Sequence, residues 1–232
     1  MFRFKLFTVC QDRCPMKVGT DGVLLGAWAE VRPDDRRMLD IGTGTGVIAL
    51  MLAQRSAARI EAVDIDPDCA EQAAGNFAAS PWSGRLAARC LPIQEYAPDG
   101  RFDLIVSNPP YYVGSLHSPD QGRNRARHAD SLPFGELVRA VVRLLADGGR
   151  FALILPPDEM RLFRSAALGR LFPLRWTEVC STPRRGVRRV LAEFCAQPVP
   201  PPEVGRLIIQ EGGPDSYTGE YRRLTGDFYL GF

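Results

Sequence analysis

Short apolar runs alternate along the chain with segments of helical period. Arg37 to Ile41, Ile60 to Ile65, Phe102 to Ser107 and Phe151 to Leu155 read as strands buried on both faces. Gly46 to Arg55 reads as a helix, and Asp66-Pro67 signals the start of another, with proline in its first turn. Leu137, Val138, Val141, Leu144 and Leu145 fall at helical spacing, and Gly148-Gly149 marks the expected end of that helix. This alternation predicts an α/β fold with a largely parallel sheet and crossover helices. Val187 to Ala196 reads as a further strand, Pro198 to Pro202 must be extended, and Leu207 to Gln210 reads as a last edge strand. Thr20-Asp21 is expected to cap a short helix through Trp28. Residues 1–36 are too few for a domain of their own and are expected to belong to the domain formed by 37–232. No internal repeat is visible.

Composition narrows the class. With 45% apolar and 24% charged residues among 232, the chain can form a core without staples. The longest strictly apolar run is Val47 to Ala53, far short of the about 20 residues that span a bilayer. Met1-Phe2-Arg3-Phe4-Lys5 does not open a secretory leader, so a cytoplasmic location is expected. Cysteines stand at 10, 14, 69, 90, 180 and 195 without a Cys-x-x-Cys, and the only histidines are His117 and His128. No metal site is expected; free, mostly buried thiols in a reducing compartment are. The net charge of +2 leaves nucleic acid open, because a basic patch can sit on a near-neutral molecule. Arginine outnumbers lysine 27 to 2, which reads as coding bias and carries no functional weight.

Candidate chemistry begins at Asp40-Ile41-Gly42-Thr43-Gly44-Thr45-Gly46, which follows a strand and opens a helix. Glycines there permit a tight turn and close approach by a ligand, and a helix N-terminus adds amides. The dinucleotide spacing Gly-x-Gly-x-x-Gly fails: from Gly42 its third glycine falls on Val47, and from Gly44 on Ala49. Asp40 ahead of the loop suits a cation instead. Asp64 ends the next strand, where a carboxylate accepts both hydroxyls of a ribose. A nucleoside bearing a cationic amino-acid tail satisfies all three features, and S-adenosylmethionine is such a molecule.

Ser107-Asn108-Pro109-Pro110-Tyr111-Tyr112 follows the strand that ends at Ser107. Two prolines stiffen the turn and remove two amide donors. An acceptor-rich turn remains, suited to a planar NH2 group with two protons to donate. Tyr111 offers a stacking face for the ring that bears the amine.

On these residues the chain resembles class I S-adenosylmethionine-dependent methyltransferases of the amino-methylating Asn-Pro-Pro-Tyr group. More narrowly, it is similar to bacterial enzymes that methylate the exocyclic amine of the adenine beside the anticodon of a valine tRNA. That likeness rests on Phe4 to Val9, Met16 to Trp28, Ala126-Arg127-His128 and Leu224 to Leu230. It implies a Rossmann-like sheet of seven strands, mostly parallel with one antiparallel. It further implies that Asp40 and the loop with Gly42, Thr43, Gly44 and Gly46 hold the methionine part of the cofactor, and that Asp64 holds the ribose. Asn108 and Pro109 would position the amine, and Tyr111 would stack on the base. Lys17 to Asp21, with Thr20 and Asp21, would lie by the cofactor as part of an N-terminal lid. One departure is plain: Pro92 stands where an acid commonly contacts the cofactor's adenine, leaving Gln94 or the Ile93 amide to replace it.

The implied reaction is a direct displacement by the amine, with tRNA as substrate and no protein partner or membrane involved. Two basic segments are candidate RNA contacts. One holds Arg123, Arg125 and Arg127, and the other holds Arg184, Arg185, Arg188 and Arg189, both without an acid. His128 reads as a polar neighbour and not a base, and Phe2, Phe4 and Phe7 as packing. Other readings remain. A protein-glutamine methyltransferase would need a helical domain ahead of the glycine loop, where only 39 residues precede Asp40. A DNA adenine methyltransferase would need a recognition insertion, a dehydrogenase the dinucleotide spacing, and a noncatalytic RNA-binding module a degraded site, while a ribosomal-RNA amino-methyltransferase stays open.

Overall fold

The computed structural model describes residues 1–110, 132–213 and 215–232. Its eight-stranded sheet is built from β3 (Arg37–Ile41), β4 (Arg59–Asp64), β5 (Leu86–Cys90), β6 (Phe102–Ser107), β7 (Leu145–Leu155), β8 (Phe172–Cys180), β9 (Val187–Cys195) and β10 (Val204–Ile208). The order is β10-β8-β9-β7-β6-β3-β4-β5. Only β9 runs against its neighbours. The expected single antiparallel strand is therefore present, but the sheet has eight strands and not seven. The eighth is the edge strand read at the chain's end, which forms over Val204–Ile208 and pairs in parallel with β8. A separate ribbon joins β1 (Phe2–Arg3) and β2 (Thr8–Val9).

The central strands are apolar throughout because both their faces are covered. One face carries α1 (Thr20–Trp28), α2 (Val47–Arg55), α3 (Pro67–Ala78) and α6 (Gly219–Thr225), packed with Met38, Ile60, Leu104 and Val106. The other carries α4 (Phe134–Leu144) and α5 (Pro157–Ala167), packed with Leu39, Val63, Ile105 and Leu153. The N-terminal residues belong to the first of these cores. Phe4 and Phe7 are buried and stacked at 4.6 Å, and Phe4 also stacks on Tyr229 near the other end of the chain.

Three local expectations need correction. The residue that caps α1 is Gly19, without a side-chain bond, and Thr20 is already the first helical residue. Gly148-Gly149 does not end α4, which stops at Leu144; the pair lies inside β7. A Cβ on Gly149 would stand 2.9 Å from the carbonyl oxygens of Ala146 and Phe102, so close strand contact, and not a helix cap, requires glycine there. The thiols are also not all free. Cys14 and Cys69 form a disulfide with Cα atoms 5.0 Å apart, across 55 residues of sequence. Of the others, Cys180 is buried and Cys90 exposed.

Candidate functional site

Strand register assembles the site. Ile41 on β3 is level with Val63 on β4 and with Ser107 on β6. The Ser107 hydroxyl donates to the Ile41 carbonyl at 2.9 Å and ties two of these ends together. Each residue that follows, Gly42, Asp64 and Asn108, therefore stands in one row at the carboxyl edge of three adjacent parallel strands. That edge is where ligands bind in open parallel sheets.

The glycine loop is held from below. The amides of Gly42 and Thr43 both donate to the Val63 carbonyl, at 2.9 and 3.1 Å. The Gly44 amide donates to Asp64 Oδ2 at 2.8 Å, and the Asp66 amide donates to Asp64 Oδ1 at 3.0 Å. Gly42, Gly44 and Gly46 have φ of +70°, +54° and +81°. Gly46 has a second requirement, because a Cβ there would lie 2.6 Å from Phe77 Cε1. A Cβ on Gly42 would have nothing within 4 Å among the described residues, so the loop is open at that position.

Asp40 is fully buried on β3 and accepts from the Thr43 hydroxyl through Oδ2 at 2.7 Å. Its Oδ1 has no hydrogen-bond partner among the described residues. Burial pushes Asp40 up to about 7, against the pull of the Thr43 hydroxyl and the Ala49 amide, and the Asp64 charge adds to the rise. Burial also raises Asp64, opposed by its backbone amides. Two carboxylates that repel one another at the glycine loop favour a positive charge between them. The residues thus fit the cationic cofactor that the loop spacing implied.

Asn108 lies at the end of β6, and its Oδ1 is buried without a partner among the described residues. Pro109 behind it is buried and Pro110 is exposed. A buried amide oxygen left unpaired is costly, and such atoms concentrate where a ligand supplies the missing donor. Tyr111, Arg123, Arg125, Arg127, His117 and His128 lie outside the described residues.

The N-terminal segment reaches this edge. Gly22 of α1 abuts Val47 at the start of α2, which places Thr20 and Asp21 beside the helix that the loop opens. Thr20 is exposed, and Asp21 Oδ2 accepts from Arg189 Nε at 2.7 Å. Lys17 Nζ donates to the Gln11 and Cys14 carbonyls, so its charge braces its own loop. Cys14 Sγ stands 3.6 Å from where a Gly44 Cβ would be. Beyond β5, Gln94 donates to Glu136 on α4 and the Ile93 carbonyl accepts from Arg143, so the Gln94 side chain is turned to the helix.

Sequence reasoning passed over the residues that fasten this segment. Asn76 on α3 accepts from the Cys10 amide and donates to the carbonyls of Cys10 and Thr45, all at 2.8 Å. Gln72, one turn earlier, accepts from the Arg13 amide. Both are buried on the stripe that carries Cys69, Ala73 and Phe77. Polar residues in phase with an apolar stripe are the signal that marks them. Ile65 was also missed: it follows Asp64 and leaves a large apolar side chain 65% exposed.

The profile of a family described as methyltransferase small domain matches residues 19–156. A Parabacteroides distasonis protein named tRNA1(Val) (adenine(37)-N6)-methyltransferase is 47% identical, over 99% of this chain and 97% of its own length. A Phocaeicola vulgatus protein of the same name is 48% identical, again over 99% and 97%. Among solved structures, a predicted O-methyltransferase of Agrobacterium tumefaciens superposes with a TM-score of 0.71 at 22% identity. It covers 90% of this chain and 96% of its own. A glycopeptide N-methyltransferase in complex with S-adenosyl-L-methionine superposes at 0.55 with 15% identity, over 78% and 90%. At those identities the superpositions speak for the fold alone.

Proposed function

Because this chain belongs to the methyltransferase small-domain family, we infer that it methylates the exocyclic amine of an adenine in tRNA, with S-adenosylmethionine as donor. The substrate is the adenine beside the anticodon of a valine tRNA, after the names of the full-length relatives. The observation that carries this reading is the row of Asn108, Gly42 and Asp64. It sets an amide oxygen without a partner among the described residues beside the glycine loop and a carboxylate.

S-adenosylmethionine supplies a sulfonium methyl open to attack by a nucleophile. Asp40 and the Gly42 to Gly46 loop would hold its amino-acid part, Asp64 its ribose hydroxyls, and Ile65 an apolar face for its purine. Thr20 and Asp21, with residues 1–36 as a lid, would close the cofactor side. Asn108 Oδ1 would accept a hydrogen bond from one N–H of the target amine, and Pro109 keeps an amide donor out of the turn. As the nitrogen attacks it becomes positive, so the bond to Asn108 strengthens along the reaction, and an acceptor of that kind lowers the barrier. The proton released afterwards is acidic and needs no strong base. Tyr111 is assigned the stacking role, and Arg123, Arg125 and Arg127 a share of RNA binding. An anticodon loop already displays unstacked bases, which reduces the work of bringing the adenine to the edge.

The direct test is mass spectrometry of nucleosides from unmodified tRNA incubated with the protein and labelled cofactor. Labelled N6-methyladenosine beside the anticodon of a valine tRNA is the expected product. Label on a protein, on DNA or on no substrate would contradict the reading.

A further inference from the structure

The β8–β9 hairpin stands at the same sheet edge as the site, on its far side from the cofactor residues. β9 is antiparallel to β7, with Leu155 level with Val190, so the chain enters β9 at the edge where β6 and β7 end. Two strand spacings, roughly 10 Å at the usual separation, lie between Asn108 and the level of Leu191 on β9, and the start of β9 at Val187 stands four residues further out along that strand. Residues 181–186 form the tip. Within it, Thr182 to Arg185 close a turn through the Arg185 amide and the Thr182 carbonyl at 3.1 Å, with Pro183 at the second position.

The hairpin is braced on both sides. Its outer strand continues into bonds from the Ile209 and Gln210 amides to the carbonyls of Cys180 and Ser181, both at 3.0 Å. Its inner strand is fixed to α1 by the Arg189–Asp21 pair at 2.7 Å. The four arginines of this segment therefore separate into two kinds. Arg189 is partnered by an acid. Arg184, Arg185 and Arg188 are exposed and form no ion pair among the described residues. Residues 181–190 contain no acid, and the flanking Glu193 is buried against Arg150 and Arg175. Arg184 and Arg185 are thus exposed on the turn, and Arg188 on the strand that leaves it, at the same sheet edge as Asn108.

We propose that this hairpin is a phosphate-contacting arm. Arg184, Arg185 and Arg188 bind the RNA backbone flanking the base held at Asn108, and the Arg189–Asp21 pair holds the arm in position. The proposal rests on the tRNA reading above and adds to it a second, separate contact surface. Guanidinium forks match phosphate oxygens, and such contacts position a substrate without reading its sequence.

The test compares wild type with the triple variant Arg184→Ala, Arg185→Ala, Arg188→Ala, using unmodified tRNA transcript over a range of salt concentrations. Each lost phosphate contact removes about 0.7–0.9 from the slope of log affinity against log salt. The triple variant should therefore be shallower by about 2–3, with KM for tRNA raised and turnover at saturating tRNA retained. Cofactor affinity and melting temperature should match wild type, and a triple lysine variant should recover most of the slope. A wild-type slope and KM in a folded alanine variant would overturn the arm while leaving tRNA methylation standing. Failure of the wild-type protein to bind or methylate tRNA would overturn both.

Discussion

The Gly44 amide donates to Asp64 Oδ2 at 2.8 Å, so the glycine loop and an acid 20 residues further along the chain are one hydrogen-bonded unit. Asp64 has a second backbone partner in the Asp66 amide, which opens the way into α3. Replacing it therefore does more than remove a ligand contact. Asp64→Ala should weaken S-adenosylmethionine binding by about 1–3 kcal/mol, the range for hydrogen bonds to a charged group. It should also lower the melting temperature of the ligand-free protein. Asn keeps an oxygen for one of the two amides and should fall between. Titration calorimetry with parallel thermal melts separates the two effects; unchanged affinity in the Ala variant would remove Asp64 from the cofactor site.

Asp40 makes both stability and binding depend on pH, in opposite directions. Its value is raised from the ordinary aspartate range to about 7 in the folded chain. Between those limits the unfolded chain has released the proton and the folded chain keeps it, so stability falls as pH rises toward about 7 and levels off above. A cationic ligand prefers ionised Asp40, so cofactor affinity should rise through the same interval, with a proton released on binding. Asp40→Asn should flatten both dependences. Its ligand-free form should gain stability over wild type as pH increases from about 5 to 8, while cofactor binding stays weak throughout. Denaturation and binding measured across that range provide the check, and parallel pH curves for the two proteins would contradict the assignment.

Gly46 carries both a left-handed φ of +81° and a close approach to Phe77. Gly46→Ala sets a methyl against the ring edge and strains the backbone that opens α2. Overpacking of this kind costs roughly 1–3 kcal/mol. The expected outcome in denaturant unfolding is a loss at or above the top of that range, because the φ penalty adds to it. Gly42→Ala meets no atom within 4 Å and should cost only the backbone strain in the ligand-free protein. A larger stability loss at Gly42 than at Gly46 would contradict this geometry.

Asn76 fastens the N-terminal segment to α3 and to the loop with three bonds of 2.8 Å. Asn76→Ala leaves the Cys10 amide and two carbonyls without that partner, a cost of about 1–3 kcal/mol. Limited proteolysis of reduced protein should then cut within the first 19 residues faster than in wild type. Equal cleavage rates would show that the segment is held without Asn76.

Much of the sheet was legible because strands covered on both faces must be apolar. Arg37 to Ile41 and Phe102 to Ser107 were read to the residue. Strand β8 escaped because it mixes Arg175, Thr177 and Glu178 into its length. Arg175 is satisfied from outside its own strand, with its guanidinium 3.8 Å over the Trp28 ring. Edge strand β5 escaped for want of burial, since only Leu86 is buried along it. Helix α5, which begins at Pro157, also escaped, although proline is acceptable in the first turn. The placement of Asp40, Asp64 and Asn108 at or next to strand ends was readable because strand ends announce themselves in sequence. The partners of Asp21 and Asn76 were not, because Arg189 lies 168 positions from Asp21 and Cys10 lies 66 from Asn76. The Cys14–Cys69 bond was hidden for the same reason.

The central claim is that Asn108 Oδ1 accepts a hydrogen bond from the target amine and thereby promotes its attack. Its buried Oδ1, without a partner among the described residues, is the atom at issue. The decisive measurement is single-turnover methylation of unmodified valine tRNA by Asn108→Ala, with cofactor affinity determined on the same preparation. Loss of one preorganised partner of a charge-developing atom costs about 10²–10³ in rate. The expected result is a fall of that size with S-adenosylmethionine affinity unchanged, and a smaller fall for Asn108→Asp, which retains an acceptor oxygen. Transfer at the wild-type rate by Asn108→Ala would contradict the account, because the turn would then be structural and the amine would be positioned by other groups.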